Sequence, residues 1–113
     1  MLSVKKPTSK SKDIAEKMRE KAVRISCLTD GEMKKLKIKS IITETKISTL
    51  LDTHLAKVMK NKSIKFQKIK AGAEKRSFAI NKKRLEEMKI FLIEQEGITQ
   101  DILIYNAILM IIK

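Results

Sequence analysis

Two short runs carry side chains whose types and spacing could do chemistry. In AVRISCLT, residues 22–29, Arg24, Ser26 and Leu28 alternate with Val23, Ile25 and Cys27. In KRSFAIN, residues 75–81, Lys75, Ser77, Ala79 and Asn81 alternate with Arg76, Phe78 and Ile80. A period of two places each set on one face of an extended strand, with successive members roughly 6.6 Å apart. Such a row of hydrogen-bonding and small apolar groups is suited to reading the edges of stacked bases. Arg24 suits guanine, Asn81 suits adenine, and Leu28 or Ala79 suits a thymine methyl. The assignment puts the apolar residues Val23, Ile25 and Cys27 inward, and a one-residue slip would reverse every side chain.

Bond-making chemistry finds no support. Cys27 is the one cysteine and His54 the one histidine, so neither an internal disulfide nor a metal cluster is expected. The sequence has no Gly-rich phosphate loop, no paired carboxylates beside a base and no nucleophile constellation. We therefore expect no enzyme, no cofactor, no metal and no small-molecule substrate. Cys27 is read as a small buried hydrophobe, His54 as a packed residue, and Met33, Met59, Met88 and Met110 as core filling.

The two strands need elements to hold them. Asp30 is expected to cap a helix opened by Gly31 and Glu32, with Met33, Leu36, Ser40 and Ile41 as its stripe. After a polar turn over 45–47, Ser48 is expected to cap a second helix with the stripe Leu50, Leu51, His54, Leu55, Val58 and Met59. Residues 60–74, KNKSIKFQKIKAGAE, interrupt the pattern and read as a basic connector. The pattern then resumes: Leu85, Met88, Phe91 and Leu92 form a stripe, Gly97 ends that helix, and Thr99 caps Gln100 to Ile112. Because this last helix is apolar almost all round, part of it is expected to contact a second copy of the protein.

With 26 Lys plus Arg against 13 Asp plus Glu among 113 residues, the formal charge is +13, which attracts polyanions. Residues 1–21, with Lys5, Lys6, Lys10 and Lys12, read as a flexible basic arm with a short frayed helix over 12–21. Together with Lys60, Lys62, Lys65, Lys68 and Lys70 of the connector, the arm would add salt-sensitive affinity for phosphates without sequence choice. Ile102 to Ile112 is shorter than the ~20 apolar residues of a membrane span. MLSVKKPTSKSK lacks the apolar run of a signal peptide, so a cytoplasmic protein without membrane contact is expected.

The same arrangement occurs twice. An interval of 53 places Leu50, Leu51, Leu55, Val58 and Met59 on Leu103, Ile104, Ile108, Ile111 and Ile112, and His54 on Ala107. An interval of 52 pairs Met33 with Leu85, Leu36 with Met88, Ile38 with Ile90 and Ile41 with Ile93. For the strands we take 53, which superimposes the faces read as apolar. The units are then 22–59 and 75–113, joined by 60–74. One such unit is too small to bury its stripes, and a lone strand leaves its edges unpaired. The two strands are expected to pair antiparallel, with four helices covering one face.

RISCLTDGEMKKLK followed by ISTLLDTHLAKVM, and RSFAINKKRLEEMK followed by GITQDILIYNAIL, resemble the ribbon-helix-helix superfamily of MetJ, Arc and CopG repressors. Two units in one chain are similar to the TraY-like proteins of conjugative plasmids. The resemblance implies a mostly helical fold with a two-stranded antiparallel ribbon, the two units forming an intramolecular pseudo-dimer. It implies that the ribbon enters the major groove of double-stranded DNA, read by Arg24, Ser26, Leu28, Lys75, Ser77, Ala79 and Asn81. Phosphates would be held at the second-helix N-termini, at Ser48 and Thr49 and at Thr99 and Gln100, and by Lys5, Lys6, Lys10 and Lys12. A repressor or an accessory factor in plasmid transfer or maintenance is the role this favours. The alternatives are an antitoxin and a non-specific basic nucleic-acid-binding protein.

Overall fold

The computed structural model describes residues 21–61 and 64–113. The expected arm lysines Lys5, Lys6, Lys10 and Lys12, the short helix up to residue 20 and the connector residue Lys62 lie outside the described residues. The element order is β1 (Lys21–Leu28), α1 (Asp30–Ile42), α2 (Ile47–Lys60), β2 (Glu74–Asn81), α3 (Lys82–Glu94) and α4 (Gln100–Ile112). The chain is thus mostly helical, with one two-stranded antiparallel sheet.

Each helix start has a local cause. Thr29, one residue before the expected Asp30, caps α1 through a reciprocal pair with Glu32. The Glu32 N–H donates to Thr29 Oγ1 at 3.2 Å, and the Thr29 N–H donates to Glu32 Oε1 at 2.9 Å. α2 begins earlier than Ser48, with Lys46 at the cap position and Ser48 inside the first turn. Asn81 caps α3 through its carboxamide oxygen, which accepts from the Lys83 N–H at 2.9 Å. Thr99 occupies the cap position of α4 as expected. Gly97, at φ +81°, turns the chain between α3 and α4 where an L side chain would be strained.

The face of β1 is the reverse of the expected one. Ser26 and Leu28 are fully buried, whereas Val23 and Ile25 are 63% and 52% exposed. Two contacts make the inward row tolerable. Ser26 Oγ donates to the Asp101 carbonyl at 2.7 Å, so its burial leaves no hydroxyl unpaired. Arg24, half-buried, turns its guanidinium back to the Val23 carbonyl at 2.9 Å. β2 follows expectation, with Phe78 and Ile80 buried and Lys75 and Ser77 exposed. Arg76 lies on the inward face, held by Asp30 at 2.7 Å and Glu74 at 3.6 Å. The inward residues Ser26 and Phe78, and Leu28 and Ile80, are 52 residues apart, whereas the expected superposition of faces took 53.

The core lies between the ribbon's inner face and the helices. α2 packs on α4, α4 on β1, and α2 on β2. Leu51, Leu55 and Val58 of α2 meet a cluster that includes Leu103, Ile104, Ala107, Ile108 and Ile111 of α4. Residues 103–109 of α4 are all buried. Its apolar character is therefore largely used within the chain, with Ile102, Met110 and Ile112 half-buried. On α1, Leu36 is buried and Met33 half-buried, but Ile41 stands 76% exposed, off the expected stripe. His54 is half-buried, and its Nδ1 donates to the Leu50 carbonyl at 2.7 Å.

The connector is more than a charged loop. Ile64, Phe66 and Ile69 pack against the core while Lys65, Lys68 and Lys70 face solvent, and the Phe66 and Phe91 rings lie 6.1 Å apart. Asn106 clamps this segment, accepting from the Gln67 N–H at 2.8 Å and donating to the Gln67 carbonyl at 3.0 Å.

A buried polar contact ties α1 to α4. Tyr105 donates to Glu32 Oε2 at 2.7 Å, and both residues are buried. Burial is the largest influence on Glu32 and pushes its carboxyl up. The bonds from Thr29 and Tyr105, with Lys70 nearby, outweigh it and hold the group below its ordinary value of 4.5. Burial first, and then Glu32, pushes the Tyr105 phenol from 10.0 up to about 12. The stability tied to Glu32 is thus complete above pH 4.5 and lost as pH falls through its lowered pKa. That tied to Tyr105 is complete below pH 10.0 and lost as pH rises through about 12. Tyr105→Phe is expected to cost about 2 kcal/mol near neutrality, by depriving a buried carboxylate of a donor, and to remove the phenol's share of the alkaline loss. Urea titrations of both proteins from pH 3 to 12 check this; coincident curves would refute it.

Candidate nucleic-acid interface

Antiparallel pairing puts eight residues on the outer face of the ribbon. They face one another as Lys21 and Asn81, Val23 and Ala79, Ile25 and Ser77, and Cys27 and Lys75. The face is apolar in the middle, with a lysine on one strand at each end. Of the expected base-reading set, Lys75, Ser77, Ala79 and Asn81 are brought together here, whereas Arg24, Ser26 and Leu28 are not. Ser26 and Leu28 belong to the core, and Arg24 shares their face. Lys21, Val23, Ile25 and Cys27 take their place. Cys27 is accordingly half-exposed and free on this face, not the buried hydrophobe expected.

The carboxamide oxygen of Asn81 is committed to the α3 cap, so two-pronged pairing with adenine would have to break that bond. Its amide nitrogen is the side-chain donor that the cap does not use.

At the Lys21–Asn81 end the ribbon meets the start of α2. Lys21, Ala79 and Asn81 from the strands and Ser48, Thr49 and Asp52 from α2 line a concavity of about 170 Å³. Expected base-reading and phosphate-holding residues thus share one hollow. The first N–H groups of a helix have no partner within it and mark the positive end of its dipole. α2 has no acidic residue in its first turn, its cap residue Lys46 is exposed, and exposed Lys82 and Lys83 follow directly on Asn81, which lines the hollow. Asp52 is the one carboxylate in the lining. Arg84 binds it at 3.0 and 3.4 Å, and this pairing first of all holds the guanidinium more firmly protonated than usual. With Asp52 paired, Lys21 is the one free charge in the lining.

The other end differs. Thr99 and Gln100 begin α4, but Asp101 sits in its first turn, takes a hydrogen bond from Thr99 Oγ1, and accepts the Ile102 N–H at 3.0 Å. Its carboxylate occupies the place a phosphate would take. Exposed Asp30 and Glu74 lie near this end as well, shared with Arg76. The interface is therefore electrostatically lopsided, favouring anions at the α2 end.

Sequence reasoning missed Lys46, Lys82 and Lys83, which lie outside the alternating runs. Their position beside Ser48 and Asn81 was the available signal. Among the described residues, no group of three or more His, Cys, Asp or Glu could hold a metal ion, and no helix is long and apolar enough to cross a membrane. No protein-family model, curated protein or solved structure matches the chain.

Proposed function

We propose that this chain is a sequence-specific double-stranded DNA-binding protein that lays the outer face of its β1/β2 ribbon in the major groove. The observation that carries the reading is the solvent-facing ribbon itself, with lysines at both ends and, beside one of them, a hollow whose one carboxylate is paired with Arg84. The major groove of B-DNA admits a two-stranded ribbon, and a net charge of +13 supplies the attraction to phosphate. Val23, Ile25 and Ala79 would meet thymine methyls, Ser77 and Lys75 base acceptors, and Asn81 a base acceptor through its amide nitrogen. Lys46, Ser48, Thr49, Lys82 and Lys83 would hold the backbone at the α2 end. With Asp101 at the α4 end, the preferred site would be asymmetric.

In the same reading the chain is a tandem ribbon-helix-helix protein whose units form an intramolecular pseudo-dimer. A two-fold axis normal to an antiparallel ribbon passes through a facing pair and keeps each residue on its face. Ile25 faces Ser77, and these residues are themselves 52 apart. An axis there would carry Leu28 onto Ile80 and Leu36 onto Met88, all of them buried. Repression, or service in plasmid transfer or maintenance, is the role that fits.

Cys27, the one thiol of the chain, makes the test direct. Duplexes selected from a random pool are expected to shield Cys27 from a maleimide. The labelled protein is expected to bind them about a hundredfold more weakly, a bulky adduct having displaced the ribbon. Undiminished binding by labelled protein, or selection of no preferred sequence, would refute the reading.

A further inference from the structure

The first helices carry a second pattern that the ribbon does not use. On α1, Lys34, Lys35, Ile38, Ile41 and Ile42 follow the i, i+1, i+4, i+7, i+8 spacing of one face, and all five are exposed. The residues 52 further on, on α3, are Glu86, Glu87, Ile90, Ile93 and Glu94, and they too are all exposed. Isoleucines coincide at two positions, and both lysines are answered by glutamates. Ile41 and Ile93 are 76% and 82% exposed, more than any other large apolar residue of the described chain. Solvated helix faces gain nothing from isoleucine at such positions.

The α3 face also borders a groove. Ala56, Met59 and Lys60 of α2 with Arg84, Glu87, Ile90, Phe91 and Glu94 of α3 enclose about 270 Å³, a mostly apolar hollow bordered by two carboxylates and by two cations, of which Arg84 is already paired with Asp52 and Glu87. Glu87 is held there by Arg84 at 2.7 Å and remains more than half exposed. With Glu86, Glu87 and Glu94 exposed on the α3 face and Arg84 already engaged, carboxylates outnumber the free cation Lys60 around the apolar floor, which complements in sign a helix that presents isoleucines beside lysines. α1 of the same protein is such a helix.

We propose that α1 of one copy docks in the α2/α3 groove of a second copy, so that the chain associates head to tail. The two surfaces differ, which makes the contact heterologous and leaves a free α1 and a free groove at the ends of every assembly that does not close into a ring. Both faces are small and the net charge of +13 opposes contact, so association is weak and appears at high protein concentration. This rests on neither DNA binding nor the ribbon, and it can fail while the DNA reading stands.

Sedimentation velocity of the full chain without DNA tests it, at concentrations up to on the order of 1 mM. The wild type is expected to show concentration-dependent association, which Lys34→Glu with Lys35→Glu weakens by about tenfold or more. That variant has a lower net charge, which alone would promote association, so its loss cannot come from general repulsion. Glu86→Lys with Glu87→Lys is expected to behave alike. The two variants mixed are expected to recover association, because the intact α1 of one meets the intact groove of the other. Circular dichroism of each variant, matching the wild type, shows that both are folded. A wild type that stays monomeric throughout, or variants that associate like the wild type, or a mixture that stays dissociated, would overturn the proposal.

Discussion

Ile25→Glu is expected to lower affinity for a selected duplex by at least about a hundredfold, roughly 2.7 kcal/mol, while the thermal midpoint stays within a few degrees. The two halves of this expectation come from one fact. Ile25 is 52% exposed on the outer face and faces Ser77 at the middle of the ribbon. A carboxylate there remains hydrated in the free protein and replaces no core contact, so folding is little affected. In the groove the same carboxylate would be stripped of water beside base acceptors and phosphates, with the nearest outer-face lysines toward the ends of the ribbon. Ile25→Ser, which adds no charge, is expected to cost tenfold or less. Since residue 25 would touch no phosphate, the slope of log K against log salt should stay the same in both variants. Fluorescence anisotropy over a salt series, with parallel melting curves, measures all three quantities. Loss of stability equal to the loss of binding would mean that Ile25 supports the fold instead.

Ile108→Ala is expected to have the opposite signature, destabilising the protein by about 3 to 4 kcal/mol, a large part of the total for a chain of this size. Ile108 is fully buried in α4, the helix that packs on both α2 and β1. Truncation removes a fully buried side chain and leaves a cavity in the core. The thermal midpoint should fall by roughly 15 °C. Ile93→Ala, on a side chain that is 82% exposed, should change stability by less than about 0.5 kcal/mol. Urea denaturation of the pair checks the contrast; equal effects would contradict the central place given to α4.

Much of this fold can be read from periodicity. The stripe of α2 from Leu50 to Met59 and the buried pair Leu85 and Met88 have the helical spacing of one face, and the structure buries or half-buries each of these residues. The alternation in 75–81 likewise yields both strand and face, because Phe78 and Ile80 have no large apolar rival opposite them, only Ala79. β1 defeats the same rule. Val23, Ile25 and Cys27 stand on one face and Ala22 and Leu28 on the other, so apolarity alone does not choose between them. Ser26 lies inward because the Asp101 carbonyl, 75 residues away, accepts its hydroxyl, and no local pattern reports such a partner. The interval could have decided the matter: under the tandem reading, the strands must be related by the same 52 residues as the first helices.

The connector was obscured for another reason. Ile64, Phe66 and Ile69 are separated by lysines and match neither period well, and their anchor is the side chain of Asn106 far along the chain. The candidate interface was half legible. Its β2 row and the residues Ser48 and Thr49 follow from sequence, whereas the β1 row depends on one parity choice. Most of the apolar surface that prompted an expected contact through α4 lies in the core, while the isoleucines Ile38, Ile41, Ile42, Ile90 and Ile93 on α1 and α3 are exposed.

Methylation interference on a selected duplex tests the central claim most directly, because guanine N7 opens to the major groove and adenine N3 to the minor groove. Ribbon insertion predicts that methylation at guanine N7 or bulk at thymine C5 within one short, asymmetric site blocks binding, while adenine N3 methylation does not. Interference confined to adenine N3, or spread evenly with no site at all, would contradict it.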